Sequence, residues 1–203
     1  KTLSQLGPIL MNSQKITDGL IENAKIGDAE SNLLLGLIYS KPNALPHIKT
    51  NLTSAKGYFK KASDEGYALG SVFYARALSC AISSSGCNKT RSERLFKDSD
   101  LDLGKFLQAE LLFKSGKLDA ASKLLKKSSF SNSAFGMNLL GDITYQKGEI
   151  QKSKDYFLLA SQQGSALAII SLAAMDPSSS NIAKLKSLYR NGSTEAGISL
   201  ALS

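Results

Sequence analysis

The side chains able to do acid-base, nucleophilic or metal chemistry are few in this chain, and their spacing leads away from catalysis. His47 is the only histidine. It follows Pro46 in a loop-like stretch with no evident acid to orient its ring, so a Ser-His or Cys-His couple lacks its third member. An ordinary exposed histidine is the better reading. Asp98, Asp100 and Asp102 alternate along the chain, as ligands in a cation loop do. The acidic and glycine positions that a calcium loop supplies further on are missing, and Asp at a helix N-terminus accounts for the triplet. No phosphate loop or dinucleotide fingerprint occurs. The expectation is a protein that is not an enzyme, with no catalytic residues, no metal and no cofactor.

Cys80 and Cys87 are the only cysteines, and Ser83-Ser84-Ser85-Gly86 lies between them. Two readings stand. A disulfide would pin this loop to the helix before it, as suits an oxidising compartment, and the arc is short enough to close. Otherwise both are unpaired thiols, one of them buried, in a cytosolic protein. A metal site would need a second pair of ligands. The chain opens at Lys1 rather than Met, which fits removal of a signal peptide and a periplasmic or secreted location, with the cytoplasm as the alternative. No apolar run is long enough to span a membrane.

The elements that position these groups announce themselves by repetition. Gly27, Ala29, Ser31, Leu35, Gly36 and Tyr39 form a phrase that returns as Gly66, Ala68, Gly70, Tyr74 and Ala75. Further copies run Asn132, Ala134, Gly136, Leu140, Gly141 and then Gly164, Ala166, Ala168, Leu172, Ala173, with a last one starting at Gly192. The turn positions Gly27, Gly66, Asp100, Asn132, Gly164 and Gly192 are separated by 39, 34, 32, 32 and 28 residues. Such periods suit helix pairs that bury their apolar faces only against neighbouring pairs. Each pair also has a shared ending: Tyr58-Phe59 and Ala62 ahead of Gly66 match Tyr156-Phe157 and Ala160 ahead of Gly164. The ring and the Ala fall on one helical face, and the Gly belongs just past the helix end. Gly36 and Gly141 stand mid-helix, where Gly is unfavourable by roughly 0.5–1 kcal/mol against Ala, so close packing should compensate. The apolar stretch Ala166–Met175 reads as a helix buried on both sides.

At Leu35-Gly36, Tyr39, Lys61-Ala62-Ser63 and Gly66 the chain resembles the Sel-one-like repeat (SLR) family. Leu140-Gly141, Gly148, Phe157 and Ala160 are similar to the related tetratricopeptide (TPR) spacing. The likeness covers about residues 15–203. It departs from the family at Gln108-Ala109 and in the long loop Lys41–Leu52. It implies an all-α fold, a right-handed α-solenoid of stacked antiparallel helix hairpins, as one domain over residues 1–203. The units would be 1–26 (N-terminal helices), 27–65, 66–99, 100–131, 132–163, 164–191 and a capping helix at 192–203. In this register Arg76, Phe106, Glu110, Phe113, Asn138, Asp142 and Tyr145 fall near the concave face. Phe106, Phe113 and Tyr145 would anchor a peptide or helix, and Arg76, Glu110 and Asp142 would orient it.

The resemblance implies a protein-protein interaction scaffold or adaptor in a bacterial envelope, secretion or surface-appendage assembly. The alternative starts from charge: 25 Lys and Arg against 17 Asp and Glu leave +8. Lys56, Lys60, Lys61, Arg91, Arg94, Lys97 and later counterparts fall on expected second helices. They form either a solvated face or a convex stripe for an anionic lipid, polymer or nucleic acid. Lys outnumbers Arg and no aromatic residues interleave, which argues against nucleic acid. A cell-wall enzyme stands third, because no Ser or acid presents itself for the work.

Overall fold

Helix boundaries in this chain are written by its caps. Asp28, Asn51, Asn88, Ser133, Ser165 and Ser178 each turn a side-chain oxygen onto a backbone N–H of the following first turn, satisfying a donor that has no intrahelical partner. At the other ends, Gly66 and Gly164 adopt φ of 81° and 84°. Tyr67 and Ser165 then donate their N–H groups back to the carbonyls of Ala62 and Ala160, both at 3.0 Å. This is the left-handed exit that a residue without Cβ makes at least strain. Asp100 takes the same role at φ 43°, the one non-glycine with positive φ among the described residues. A carboxylate side chain stands here where Gly27, Gly66, Gly164 and Gly192 make the same left-handed exit.

The structure, a computed structural model, describes residues 3–42, 44–45, 47–79 and 86–201, with backbone alone for 3–11. These residues form α-helices and one short 3-10 turn, with no strand among them. They fall into two compact units, Lys1–Gly104 and Lys105–Ser203.

In the first unit one helix, α1 (Leu3–Lys25), precedes Gly27. The pairs α2 (Ala29–Ser40) with α3 (Leu52–Asp64) and α4 (Ala68–Leu78) with α5 (Lys89–Ser99) follow. Both pairs close their loops alike: Asn51 N–H donates to the Tyr39 carbonyl and Asn88 N–H to the Leu78 carbonyl, each at 2.9 Å. The core gathers Leu33, Ala55, Phe59, Ala62, Tyr74 and Leu78. Phe59 also stacks on Phe73 at 5.4 Å between ring centres. Asn32 is fully buried, its amide donating to the Asp28 carbonyl at 3.1 Å and the Glu65 carboxylate at 3.3 Å. It ties the start of α2 to the end of α3.

The second unit takes most of α6 (Asp102–Lys114), then α7 (Leu118–Leu125), α8 (Ala134–Gln146) and α9 (Ile150–Gln162). After them come α10 (Ala166–Met175), α11 (Ser179–Arg190) and α12 (Thr194–Ala201). Ala109, Ala121, Leu125, Leu139, Leu140 and Ile143 form its largest core cluster. Phe157, Ala160, Ala168 and Leu172 form the next, and Ala173, Leu185 and Ala196 the last.

A second rule emerges that the repeated phrase does not contain. Four residues after the N-cap of each of four second helices stands a buried small residue, Ala55, Ser92, Ala121 or Ser153. Where it is Ser, its hydroxyl donates to a carbonyl of the preceding helix: Ser92 to Ala75 at 2.7 Å and Ser153 to Gly141 at 2.8 Å. One more turn along come Phe59, Phe96, Leu125 and Phe157, all buried.

Two expectations change here. Of the aspartate triplet only Asp102 opens a helix; Asp98 lies in the last turn of α5 and Asp100 is its left-handed C-cap. Helix α10 is not buried on both sides: Leu167 is 64% exposed, because α9, α11 and α12 cover only the face of Ala168, Leu172 and Ala173.

Candidate binding cleft

The uncovered side of α10 faces the corresponding side of α8, and between them lies a cleft of about 250 Å³ lined by Asp142, Tyr145, Phe157, Ser171, Ala174 and Met175. Helical spacing puts each set in place: Asp142 and Tyr145 are three apart on α8, and Ser171, Ala174 and Met175 lie three and four apart on α10. Phe157 reaches the cleft from α9. It does so because Gly141 has no side chain: a Cβ there would stand 2.6 Å from the ring. The apolar lining of the cleft and the close crossing of α8 and α9 are therefore one feature.

Asn138 fixes the two walls. Its amide donates to the Ser165 hydroxyl at 2.5 Å, and that same hydroxyl caps α10 by accepting from Ala168 N–H at 3.2 Å. The α8 stripe of Asn138, Asp142 and Tyr145 thus positions α10 with its first member and lines the cleft with the other two. Tyr145 is 53% exposed. Burial raises the Asp142 carboxyl above its ordinary range, and no cation or hydrogen-bond donor among the described residues offsets it.

The remaining residues of the expected surface have other surroundings. Phe106 stacks on Phe130, with ring centres 5.3 Å apart, and both pack on the core of the second unit. Phe113 is half-buried against the same core. Glu110 pairs with Lys114 at 2.8 Å, one turn along α6. Arg76 belongs to the first unit, half-buried, with its carbonyl accepting from the Ser79 hydroxyl at 2.6 Å. Asp142 and Tyr145 are thus the two members of the set that share a cleft. Ser171, Ala174 and Met175 carry no signal in the sequence, because α10 is apolar almost throughout and its periodicity does not show which face is free.

Chemistry elsewhere is sparse. His47 is exposed, with Nε2 3.3 Å from the Thr17 hydroxyl and Nδ1 3.4 Å from that of Ser13. Thr17 donates to the Ser13 carbonyl at 2.8 Å, so it accepts from the ring, and no acid among the described residues completes the arrangement. No group of three or more His, Cys, Asp or Glu among the described residues is placed to hold a metal. Cys80 lies outside the described residues; Cys87 is exposed just before the bond that joins Asn88 to Leu78. Among the described residues, no helix is long and apolar enough to cross a membrane.

A second recess, of about 450 Å³, is lined by Asn88, Thr90, Arg91 and Arg94 in the first unit. Arg91 lies over the Tyr74 ring at 5.3 Å, and its Nε is buried without a hydrogen-bond partner.

No family model and no curated protein matches this sequence. Solved structures do. The Sel1 repeat protein from Oxalobacter formigenes aligns at TM-score 0.65 and 16% identity, over 95% of this chain and 86% of that one. A protective antigen present in uropathogenic Escherichia coli strains, described as displaying an SLR fold, aligns at TM-score 0.55 and 18% identity. It covers 78% of this chain, which spans 36% of the antigen's length. The chain therefore has the all-helical Sel1-like, TPR-related fold that its repeated residues led us to expect.

Proposed function

We propose that this protein is a non-catalytic scaffold that captures a protein partner, holding an extended peptide or a helix along α8 and α10. The observation that carries this reading is the α8–α10 cleft. It joins an exposed aromatic side chain, an apolar floor and an unpaired carboxylate, the mixture by which interfaces anchor and orient a partner. Display of random peptides on the full chain tests it. Recovered peptides should lose binding when Tyr145 is replaced by Ala, and recovery of none, together with turnover in an activity screen, would overturn the scaffold reading.

The assignment extends to the envelope or surface of a bacterium. One structural neighbour is a bacterial antigen, and two cysteines that lie in sequence between Leu78 and Asn88, which are themselves joined by a backbone hydrogen bond, fit a bridge in an oxidising compartment. Mass measurement of the protein from its native compartment, alkylated with and without reductant, checks the Cys80–Cys87 bridge; two freely alkylated thiols would remove this support.

The recess of Arg91 and Arg94 favours a second reading, binding of an anionic lipid or polymer in the first unit. The Arg91 and Arg94 guanidinium groups make no ion pair among the described residues and offer planar donors to phosphate or carboxylate. Such binding should weaken steeply with salt, and salt-insensitive binding would eliminate it.

A further inference from the structure

Resting on the scaffold reading, we infer that the α8–α10 cleft receives a cationic side chain, Lys or Arg, from the partner, with its charge on Asp142 and its methylene stem along Phe157 and Met175. The argument begins with charge. This chain carries a surplus of eight cations, yet none among the described residues is placed on Asp142. The nearest basic side chains along the sequence are engaged elsewhere: Lys147 with Asp119 at 2.5 Å and with Glu149 at 3.8 Å, and Lys152 with Glu149 at 2.8 Å. No Lys, Arg or His of α8, α9 or α10 lines the cleft, and Tyr145 is its only other titratable group. Asp142 is left as a half-buried carboxylate that the chain desolvates and does not neutralise.

The walls then select the occupant. An acidic side chain is repelled by Asp142. An apolar one leaves that carboxylate further desolvated and unpaired, which is unfavourable. Lys and Arg combine an apolar stem with a charged head. The stem matches Phe157, Ala174 and Met175, and the head meets Asp142 in a charge-assisted hydrogen bond. The Ser171 hydroxyl supplies a further acceptor, and the Tyr145 ring a face for the cation. A free α-amine at a chain terminus shares the charge but lacks the stem.

Nuclear magnetic resonance of the isotope-labelled full chain tests this with four probes: N-acetyl-lysine methylamide, its arginine counterpart, the uncharged norleucine counterpart, and alanine amide, which carries only an α-amine. The Lys and Arg probes should shift the amides of Asp142, Tyr145 and Ser171 saturably. Asp142→Asn should weaken them about tenfold or more, as loss of a charge-assisted hydrogen bond does. Lowering the pH on the wild-type chain should weaken both probes as Asp142 protonates, a readout independent of any variant. Equal binding by norleucine, tighter binding by alanine amide, no effect of Asp142→Asn in a folded chain, or no shift by any probe would each overturn the inference. Failure of the underlying reading looks different. Displayed peptides that occupy the cleft without basic residues would remove the cation and leave the scaffold, whereas a titrating Lys probe with no displayed peptide recovered would do the reverse.

Discussion

Phe157 of α9 lies against the bare Cα of Gly141 in α8, with a Cβ at that position falling 2.6 Å from the ring's Cε1. Gly36 and Phe59 repeat the relationship in the first unit at 2.4 Å. Each ring occupies the volume that any side chain on its partner helix would need. Gly141→Ala and Gly36→Ala should therefore destabilise by about 1–3 kcal/mol through overpacking, against the roughly 0.5–1 kcal/mol that Ala gains in a helix. Gly57→Ala is the contrast: Gly57 is in helix α3 with nothing within 4 Å of its Cβ position, so this change should stabilise. Urea denaturation of the three variants checks the pair of signs; stabilisation at Gly141 would show that the ring yields freely.

Asp142 makes stability depend on pH in the less common direction for an acid. Its folded carboxyl titrates above the ordinary value for an aspartate because burial disfavours the charged form. The folded state therefore binds the proton more tightly than the unfolded state. The resulting stabilisation is full below the unfolded value and is lost as pH rises through the folded one. Asp142→Asn removes that loss, so its melting temperature should exceed wild type at about pH 7 and approach it below about pH 4. A constant difference across this range would contradict the burial of the carboxyl.

Asn51 and Asn88 open the sequons Asn51-Leu52-Thr53 and Asn88-Lys89-Thr90, but their side chains cap α3 and α5, accepting from Ser54 N–H at 3.0 Å and Arg91 N–H at 2.9 Å. Substituting either Asn by Ala should destabilise by about 1 kcal/mol. Thr53→Ala breaks a sequon without touching its cap and should change stability by less than about 0.5 kcal/mol. Thermal melts of the purified variants distinguish a capping role from a role reserved for glycan attachment.

Removal of α12 should expose the face of Leu185 and Leu188, which packs with Ala173, Ala196 and Leu200. Leu172, by contrast, stays covered by Phe157 and Ala160. A chain ending after Gly192 should aggregate or show hydrogen exchange that quickens in α11 and leaves α8 and α9 protected. Unchanged exchange in α11 would mean that α12 does not cap the second unit.

The helical pairs and their ends follow from residue types alone. Gly66, Gly164 and Gly192 sit where the backbone must turn left-handed, Asn and Ser sit where helices begin, and Gly36 and Gly141 sit where a ring must approach; each requirement is local and leaves its mark on residue type. The roles of surface residues were legible only in part. Phe106 and Tyr145 are both aromatic residues on first helices, yet one is stacked against Phe130 and the other stands free. Packing separates the two, because the difference lies in residues distant in sequence. The cleft itself was decided in the same way. Ser171, Ala174 and Met175 form a wall because the Asn138–Ser165 hydrogen bond sets α10 beside α8, and Asp142 is left without a counter-charge because Lys147 and Lys152 turn to Asp119 and Glu149.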